Sequence, residues 1–312
     1  MSIASSSPEP TVLPPPIILN ADDFGMSFGI NEAIETLVKH RALNSASLLT
    51  SGYAFSDALE RATLLRQTHP LFIGLHFNVT YRHSALRQGK HATWLTDASG
   101  AFKHSFMSLM LLCLKAYFIG SKSFRFKLLR QLSQELQAQY QQATQTGMVL
   151  SHIDGHQHVH LIPMVYHVVE RFARKHHIPR IRHIREHFWH TLIHAPNMSI
   201  WQQGGWLKWL ILQGLQRMYV IHPRYRTTPY FFSLIESCHI DLAPLTRKAF
   251  PPKTYGAMEV MVHPSLTPID KRPEYKAHFA QDAEAPHIFH PSRTLEYESV
   301  LHYGPKLLEP SS

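Results

Sequence analysis

Residues 151–160 read Ser-His-Ile-Asp-Gly-His-Gln-His-Val-His, four histidines and one aspartate within ten positions. They follow the apolar run Met148-Val149-Leu150. Neutral imidazole is the commonest protein ligand for metal ions at physiological pH. A second concentration of chemistry lies near the N-terminus, where Ile17-Ile18-Leu19-Asn20-Ala21 runs into the adjacent acids Asp22 and Asp23 and then Phe24-Gly25. Paired acids after one strand-like run and a histidine cluster after another point to a hydrolase with one metal ion, built from the ends of several strands.

The elements that must position these groups can be read from spacing. Residues 17–23 are expected to form a strand ending in the acidic pair. Ser27 is placed to cap a helix that carries Ile30, Ile34, Leu37 and Val38 at helical spacing. Strands are expected at 45–50, 71–76, 149–153, 178–184 and 259–264, and helices at 56–68, 163–176 and 200–220. Pro163 suits the first turn of its helix. Residues 81–104 read as irregular. Residues 105–146 read as a helical insertion, with Leu129, Leu132, Leu136 and Tyr140 on one face. The last forty residues read as loops plus one short helix. Alternating strands and helices imply an α/β fold with mostly parallel strands. The expected organisation is a flexible Ser- and Pro-rich tail at 1–16 and one domain over 17–312.

In that arrangement Asp22 and Asp23 end one strand, His76 ends another, His156 follows a third and His263 ends a fourth. The carboxyl ends of strands form the ligand-binding face of α/β barrels and open α/β sheets. One carboxylate and two imidazoles suit a divalent cation with positions left for water and substrate. Zinc brings the pKa of a bound water to about 7. Magnesium prefers oxygen ligands, so two histidines lean towards a transition metal. With Asp23 as a ligand, Asp22 is free to act as general base. Adjacent strand residues point to opposite sides, so both acids reach one site only if the strand twists or ends there. His263 is placed to protonate a leaving group.

These motifs together, Asn20-Ala21-Asp22-Asp23-Phe24-Gly25, Gly74-Leu75-His76 and His152-Ile153-Asp154-Gly155-His156-Gln157-His158-Val159-His160, resemble the YdjC-like carbohydrate deacetylases. That family includes chitooligosaccharide deacetylases and a branch associated with hopanoid biosynthesis. The resemblance runs from about residue 17 to 187 and returns at 259–265. It implies a (β/α) barrel-like fold related to polysaccharide deacetylases and metal-dependent removal of an N-acetyl group from an amino sugar on a carbohydrate or glycolipid, with release of acetate. It also implies Asp23, His76 and His156 as ligands of one magnesium or zinc ion, Asp22 as base and His263, of the pair His263-Pro264, as acid. The chain departs from the family at Gly155, where Ser is usual, and at Gln157, where His is usual. It also reads Arg182-His183-Ile184-Arg185-Glu186 where many relatives have Arg-Ile-Pro-Arg-Glu. Arg185 is the counterpart of a sugar contact.

Around the core set, His152 is expected to pack and Asp154 to orient a histidine or shape the turn. Asn78, Thr80, His158 and His160 are candidate substrate contacts. His183, His187, His190 and His194 share helical spacing and read as an exposed stripe sooner than a second metal site. The rival functions are hydrolysis of another amide or a phosphoester, and carbohydrate or membrane binding without catalysis.

Composition bounds the partners. The 31 basic residues outnumber the 22 acidic ones, a net charge of +9 with histidine neutral. That favours anionic partners such as a phospholipid surface, while no nucleic-acid recognition motif accompanies it. Cys113 and Cys238 are too few for a disulfide framework, and with no secretory signal a cytoplasmic setting is expected. Residues 105–120 are strongly apolar, interrupted by Lys115, and short of the roughly 20 residues that span a bilayer. Basic residues Lys122, Arg125, Lys127 and Arg130 follow; Trp201, Trp206 and Trp209 with Leu207, Leu210 and Leu212 form another apolar stretch. Both stretches read as core helices or a homo-oligomer interface, with peripheral docking on the inner membrane face as the alternative.

Overall fold

Strand β1 (Ile17–Phe24) is buried along its whole length, as expected of a parallel strand covered on both faces. It pairs in parallel with β2 (Ser45–Leu48) on one side and β7 (Met258–Val262) on the other, which makes it central. The sheet continues through β3 (Phe72–Phe77), β4 (His152–Gly155) and β5 (Arg180–Ile181) on the β2 side, and through β6 (Tyr230–Phe232) on the β7 side. The strand order is β5-β4-β3-β2-β1-β7-β6, all parallel, in a curled half-barrel. This is the expected α/β, barrel-like class. The computed structural model describes residues 17–86, 93–186, 205–217, 230–234, 240–246, 257–280, 282 and 284–309. The expected tail at 1–16 and Cys238 lie outside them.

Helices cover the sheet where the hydrophobic spacing asked for them. Helix α1 (Phe28–Lys39) starts at Ser27, whose hydroxyl accepts from the Ile30 amide at 3.2 Å, and it buries Ile30, Ile34, Leu37 and Val38. Helix α2 (Phe55–Thr68) follows β2. The insertion after β3 resolves into two helices, α3 (Phe106–Phe118) and α4 (Lys122–Thr144). Helix α5 (Pro163–Lys175) opens with its proline in the first turn, and α6 (Gly205–Gln216) occupies the Trp- and Leu-rich stretch.

Three expectations need correction. The strand read at 178–184 is reduced to Arg180–Ile181, because the next residue turns its guanidinium into the sheet and the chain then leaves it. The tripeptide strand β6 was not anticipated; at three residues it carries too little pattern to be seen. The C-terminal region is also more helical than expected. After short helices α7 (Ala243–Thr246), α8 (Thr267–Asp270), α9 (Pro273–Lys276) and α10 (Ala285–Ile288), the 17-residue α11 (Ser292–Leu308) closes the chain. It contains Pro305, which masked it in the sequence.

Register explains two pairings that matter below. In the β3–β4 ladder, His76 lies beside Asp154 and Gly74 beside His152. A Cβ at position 74 would fall 2.2 Å from His152 Nε2 in the ring beside it. Only glycine leaves room for that buried imidazole. Gly74→Ala is therefore expected to cost about 1–3 kcal/mol of unfolding free energy in a urea titration, the usual cost of overpacking.

Candidate metal centre and active site

The acidic pair reaches one site because β1 is distorted where it ends. Asp23 adopts φ 64°, in the left-handed region, and the β1–β2 register shifts between Ala21 and Phe24. Such a bulge re-aims side chains at the end of a strand. Asp22 and Asp23 both line one cavity as a result. A second distortion follows β4, where Gln157 and His158 both have positive φ, 51° and 61°, within the tight turn His156–Leu161. This double left-handed turn puts His156 and His158 on the cavity wall.

Asp23, His76 and His156 are all buried, and their ligand atoms lie within 4.8 Å of one another. Asp23 Oδ1 is 3.5 Å from His76 Nε2 and 3.1 Å from His156 Nδ1. Ligands held about 2.1 Å from a shared cation sit about 3.0–3.4 Å apart, so this spacing suits one. The other ring nitrogen of His156, Nε2, is buried with no hydrogen-bond partner. Burial opposes the charge on Asp23, but His156, His76 and Arg293 outweigh it and hold the carboxyl well below the usual range. Arg293 Nη2 donates to Asp23 Oδ2 at 2.7 Å from the first turn of α11. The donor set of one ionised carboxylate and two imidazoles fits a divalent cation.

Behind these side chains lies a buried charge network centred on Arg182, just past β5. Its guanidinium donates to Asp22 twice, Nη1 to Oδ2 and Nη2 to Oδ1, each at 2.7 Å. It also pairs Nη2 with Asp154 Oδ2 at 2.7 Å and Nε with Glu259 Oε1 at 2.6 Å. Arg182, Asp154 and Glu259 are fully buried. Asp154 Oδ1 in turn meets His76 Nδ1 at 2.8 Å. That contact places a proton on Nδ1 and turns Nε2 towards Asp23, the arrangement that orients metal-ligating histidines. Burial resists charge on His76, yet Asp154 and Asp22 raise its pKa to about 10. Asp154 itself is held well below the carboxylate range by Arg182 and then His76, against burial. Ser47 donates to Asp154 Oδ2 at 2.6 Å and accepts from Asn20 at 2.9 Å, and Asn20 also donates to Asp22 Oδ1 at 2.8 Å. His152 stays neutral through burial and the nearby Arg180, its Nε2 3.1 Å from Ser47 Oγ.

The cavity has a volume of about 510 Å³, within the range of small-molecule sites. His263, at the end of β7, lines it beside Asp22 and Asp23. So does His287 of α10, which burial and then Arg293 keep neutral, with a pKa pushed down to about 2. Phe106 and Met107 of α3, Leu207, Ile211 and Leu212 of α6, and Met261 make an apolar wall.

The expected substrate contacts divide. Of these only His158 lines the cavity. Asn78 is fully buried and organises its own loop, accepting from the Thr80 and Tyr81 amides and donating to Tyr81 O and Ser51. Thr80 contacts that same Asn78 carbonyl at 3.2 Å. His160 is sealed beneath the turn, its Nε2 3.2 Å from Arg182 O. A Cβ at position 155 would fall 2.8 Å from His160 Nδ1, so this chain's Gly155 and His160 go together. Arg185 is exposed, and its carbonyl accepts from the amide of Phe231 in β6. His183 is buried against Tyr166, not on an exposed helical face, while His187, His190 and His194 lie outside the described residues.

The model of the YdjC-like protein family matches residues 16–303. The chain belongs to the YdjC-like family. Among curated relatives it is 31% identical over 169 residues to a carbohydrate deacetylase of Geobacillus stearothermophilus, covering 54% of this chain and 59% of that one. It is 29% identical over 164 residues to a carbohydrate deacetylase of Brevibacillus brevis, 52% of this chain and 57% of that one. It is 26% identical over 192 residues to a chitooligosaccharide deacetylase of Yersinia enterocolitica, 61% and 68%. The match to the two carbohydrate deacetylases thus spans less than two thirds of their length. A crystal structure described as a cellobiose-phosphate cleavage protein from Enterococcus faecalis shares the fold. Its TM-score is 0.59 at 19% identity, covering 94% of this chain and 92% of that one.

The sequence pattern does not mark Arg182, Glu259, Arg293 and His287 as parts of the site. The alternation Arg180-Ile181-Arg182 beside an apolar strand was the available signal for the first, since arginine is rarely buried without partners. The charge network makes Arg182→Gln severe for this YdjC-like chain, because three buried carboxylates lose their common counter-ion. A loss of about 3–5 kcal/mol is expected at neutral pH. Asp154 has its folded pKa depressed, so that stability exists above the unfolded carboxylate pKa and fades as pH falls. The deficit of the variant in urea unfolding should therefore shrink as pH falls below about 4.

Proposed function

We propose that this chain is a divalent-cation-dependent hydrolase that removes the acetyl group from an N-acetylated amino sugar borne on a carbohydrate or glycolipid. The observation that carries this reading is the opening of the Asp23–His76–His156 cluster onto the same cavity as Asp22 and His263. The names of the curated relatives support it. Asp23, His76 and His156 would hold the cation, and two imidazoles favour zinc or another transition metal over magnesium. When bound, the cation supplies Lewis acidity towards the amide carbonyl and towards water.

The protein's own groups do the rest. A carboxylate offers about four acceptor positions. On Asp22, Arg182 takes two and Asn20 a third, which leaves one on Oδ2. That position receives the proton of the attacking water. Arg182 and Asn20 fix the carboxylate so that it need not reorient during the reaction, the preorganisation on which electrostatic catalysis depends. His263 protonates the nitrogen as the C–N bond breaks, giving acetate and a free amine. His158 contacts the sugar. The apolar wall from Phe106, Met107, Leu207, Ile211, Leu212 and Met261 favours a substrate with a hydrocarbon portion beside the sugar.

Acetate release from N-acetylglucosamine oligomers and N-acetylglucosaminyl lipids, measured with zinc, cobalt, manganese or magnesium supplied, tests the reading. Release is expected with at least one ion, and its absence with all of them would end it. Asp22→Asn should lower kcat by at least about 10²-fold, the scale of general-base catalysis, while cation binding is retained. The proton on His76, held up to about 10 by Asp154 and Asp22 against burial, competes with the cation. Calorimetry should therefore find affinity rising with pH between 6 and 9, with proton release on binding; a flat profile would contradict it.

A further inference from the structure

Helix α3 is apolar nearly all round, yet it buries only the stripe Leu109, Cys113 and Ala116. A helix of that composition is ordinarily enclosed. Here its C-terminal end and the turn into α4 stand in solvent: Tyr117 is 61% exposed, Phe118 72%, Ile119 81% and, one turn into α4, Phe126 66%. Leu111, on the same helix, is 60% exposed. The charge around this tip has one sign. Between Asp97 and Glu135 the sequence has no acid, but it holds Lys103, Lys115, Lys122, Arg125, Lys127 and Arg130. Arg125 stacks its guanidinium 5.8 Å above the Tyr117 ring. Phe126 and Arg130 also open onto a groove between α4 and α5 lined by His167, Arg171, Arg174 and Lys175, with no acid among its lining residues.

We propose that the α3–α4 tip is a docking device for an anionic phospholipid bilayer, with Tyr117, Phe118, Ile119 and Phe126 entering the interface and the surrounding lysines and arginines meeting lipid phosphates. Apolar and aromatic groups flanked by basic side chains are the composition that binds such surfaces peripherally. The long basic side chains can extend to the headgroups while their stems lie along apolar surface. No described helix is long and apolar enough to cross a membrane, so the attachment is one of lying on the surface. The first turn of α3 supplies Phe106 and Met107 to the cavity, so the same helix links the docking tip to the catalytic wall. The proposal stands apart from the deacetylation reading, because binding is measured without substrate.

The test is co-sedimentation of the full chain with vesicles of phosphatidylcholine alone or mixed with phosphatidylglycerol, at low and high salt. The chain should partition onto the mixed vesicles and be released by salt. Phe118→Ser with Ile119→Ser should weaken partition at least tenfold, and Lys122→Glu with Lys127→Glu should abolish the preference for phosphatidylglycerol. Neither pair touches the cavity, so acetate release from a water-soluble oligomer, where present, should be unchanged. Absence of binding to the mixed vesicles would overturn the proposal, as would equal binding by the Phe118/Ile119 variant. Sedimentation velocity showing a dimer that this variant dissociates would overturn it in favour of contact between copies of the chain.

Discussion

A single buried guanidinium holds the site together. Arg182 faces Asp22, Asp154 and Glu259 at hydrogen-bonding distance, all of them out of water. Desolvating a carboxylate costs several kcal/mol unless charge and hydrogen bonds compensate it. The planar fork of arginine meets that demand in several directions at once, which a lysine cannot do. Through Asp22 it orients the candidate base. Through Asp154 it acts at one remove on His76, and so on the nitrogen turned to Asp23. Arg293 serves Asp23 itself from the far end of the chain. These partners fix the direction of the carboxylates and hold those of Asp23 and Asp154 well below the usual range, and the cation site follows from that.

The backbone makes a matching concession. Asp23, Gln157 and His158 sit in the left-handed region, where residues other than glycine are uncommon. Backbone in such regions is held by its surroundings and clusters at functional sites. At Asp23 the distortion lets two sequential acids serve one cavity. At Gln157 and His158 it brings alternate histidines of a short motif to the wall while His160 is folded beneath. Both distortions lie at the carboxyl edge of the parallel sheet, where strands end and the hydrogen-bond ladder no longer dictates direction.

The fold class and the placement of Asp22, Asp23, His76, His156 and His263 were legible because apolar runs mark strands and polar residues mark their ends. The residues beyond that were not, for physical reasons. An arginine in a short strand can face solvent or the interior, and only the facing carboxylates, 160 residues away for Asp22, decide it. Arg293 lies 270 residues from Asp23 in a helix that its own Pro305 concealed. Asn78 follows a strand as a substrate contact would, but its side chain is consumed by the amides of its own turn, a role that asparagine fills by local chemistry. His158 lines the cavity and His160, two positions on, does not, because of the double left-handed turn, which the sequence pattern does not carry.

The central claim is that Asp23, His76 and His156 share one cation. Anomalous scattering from crystals grown with zinc or cobalt, collected on either side of the metal absorption edge, tests it most directly. The account expects one strong peak bonded to Asp23, His76 Nε2 and a nitrogen of His156, with His76 Nδ1 still hydrogen-bonded to Asp154. A peak held by a different set of side chains, or none at this cluster under saturating metal, would contradict it.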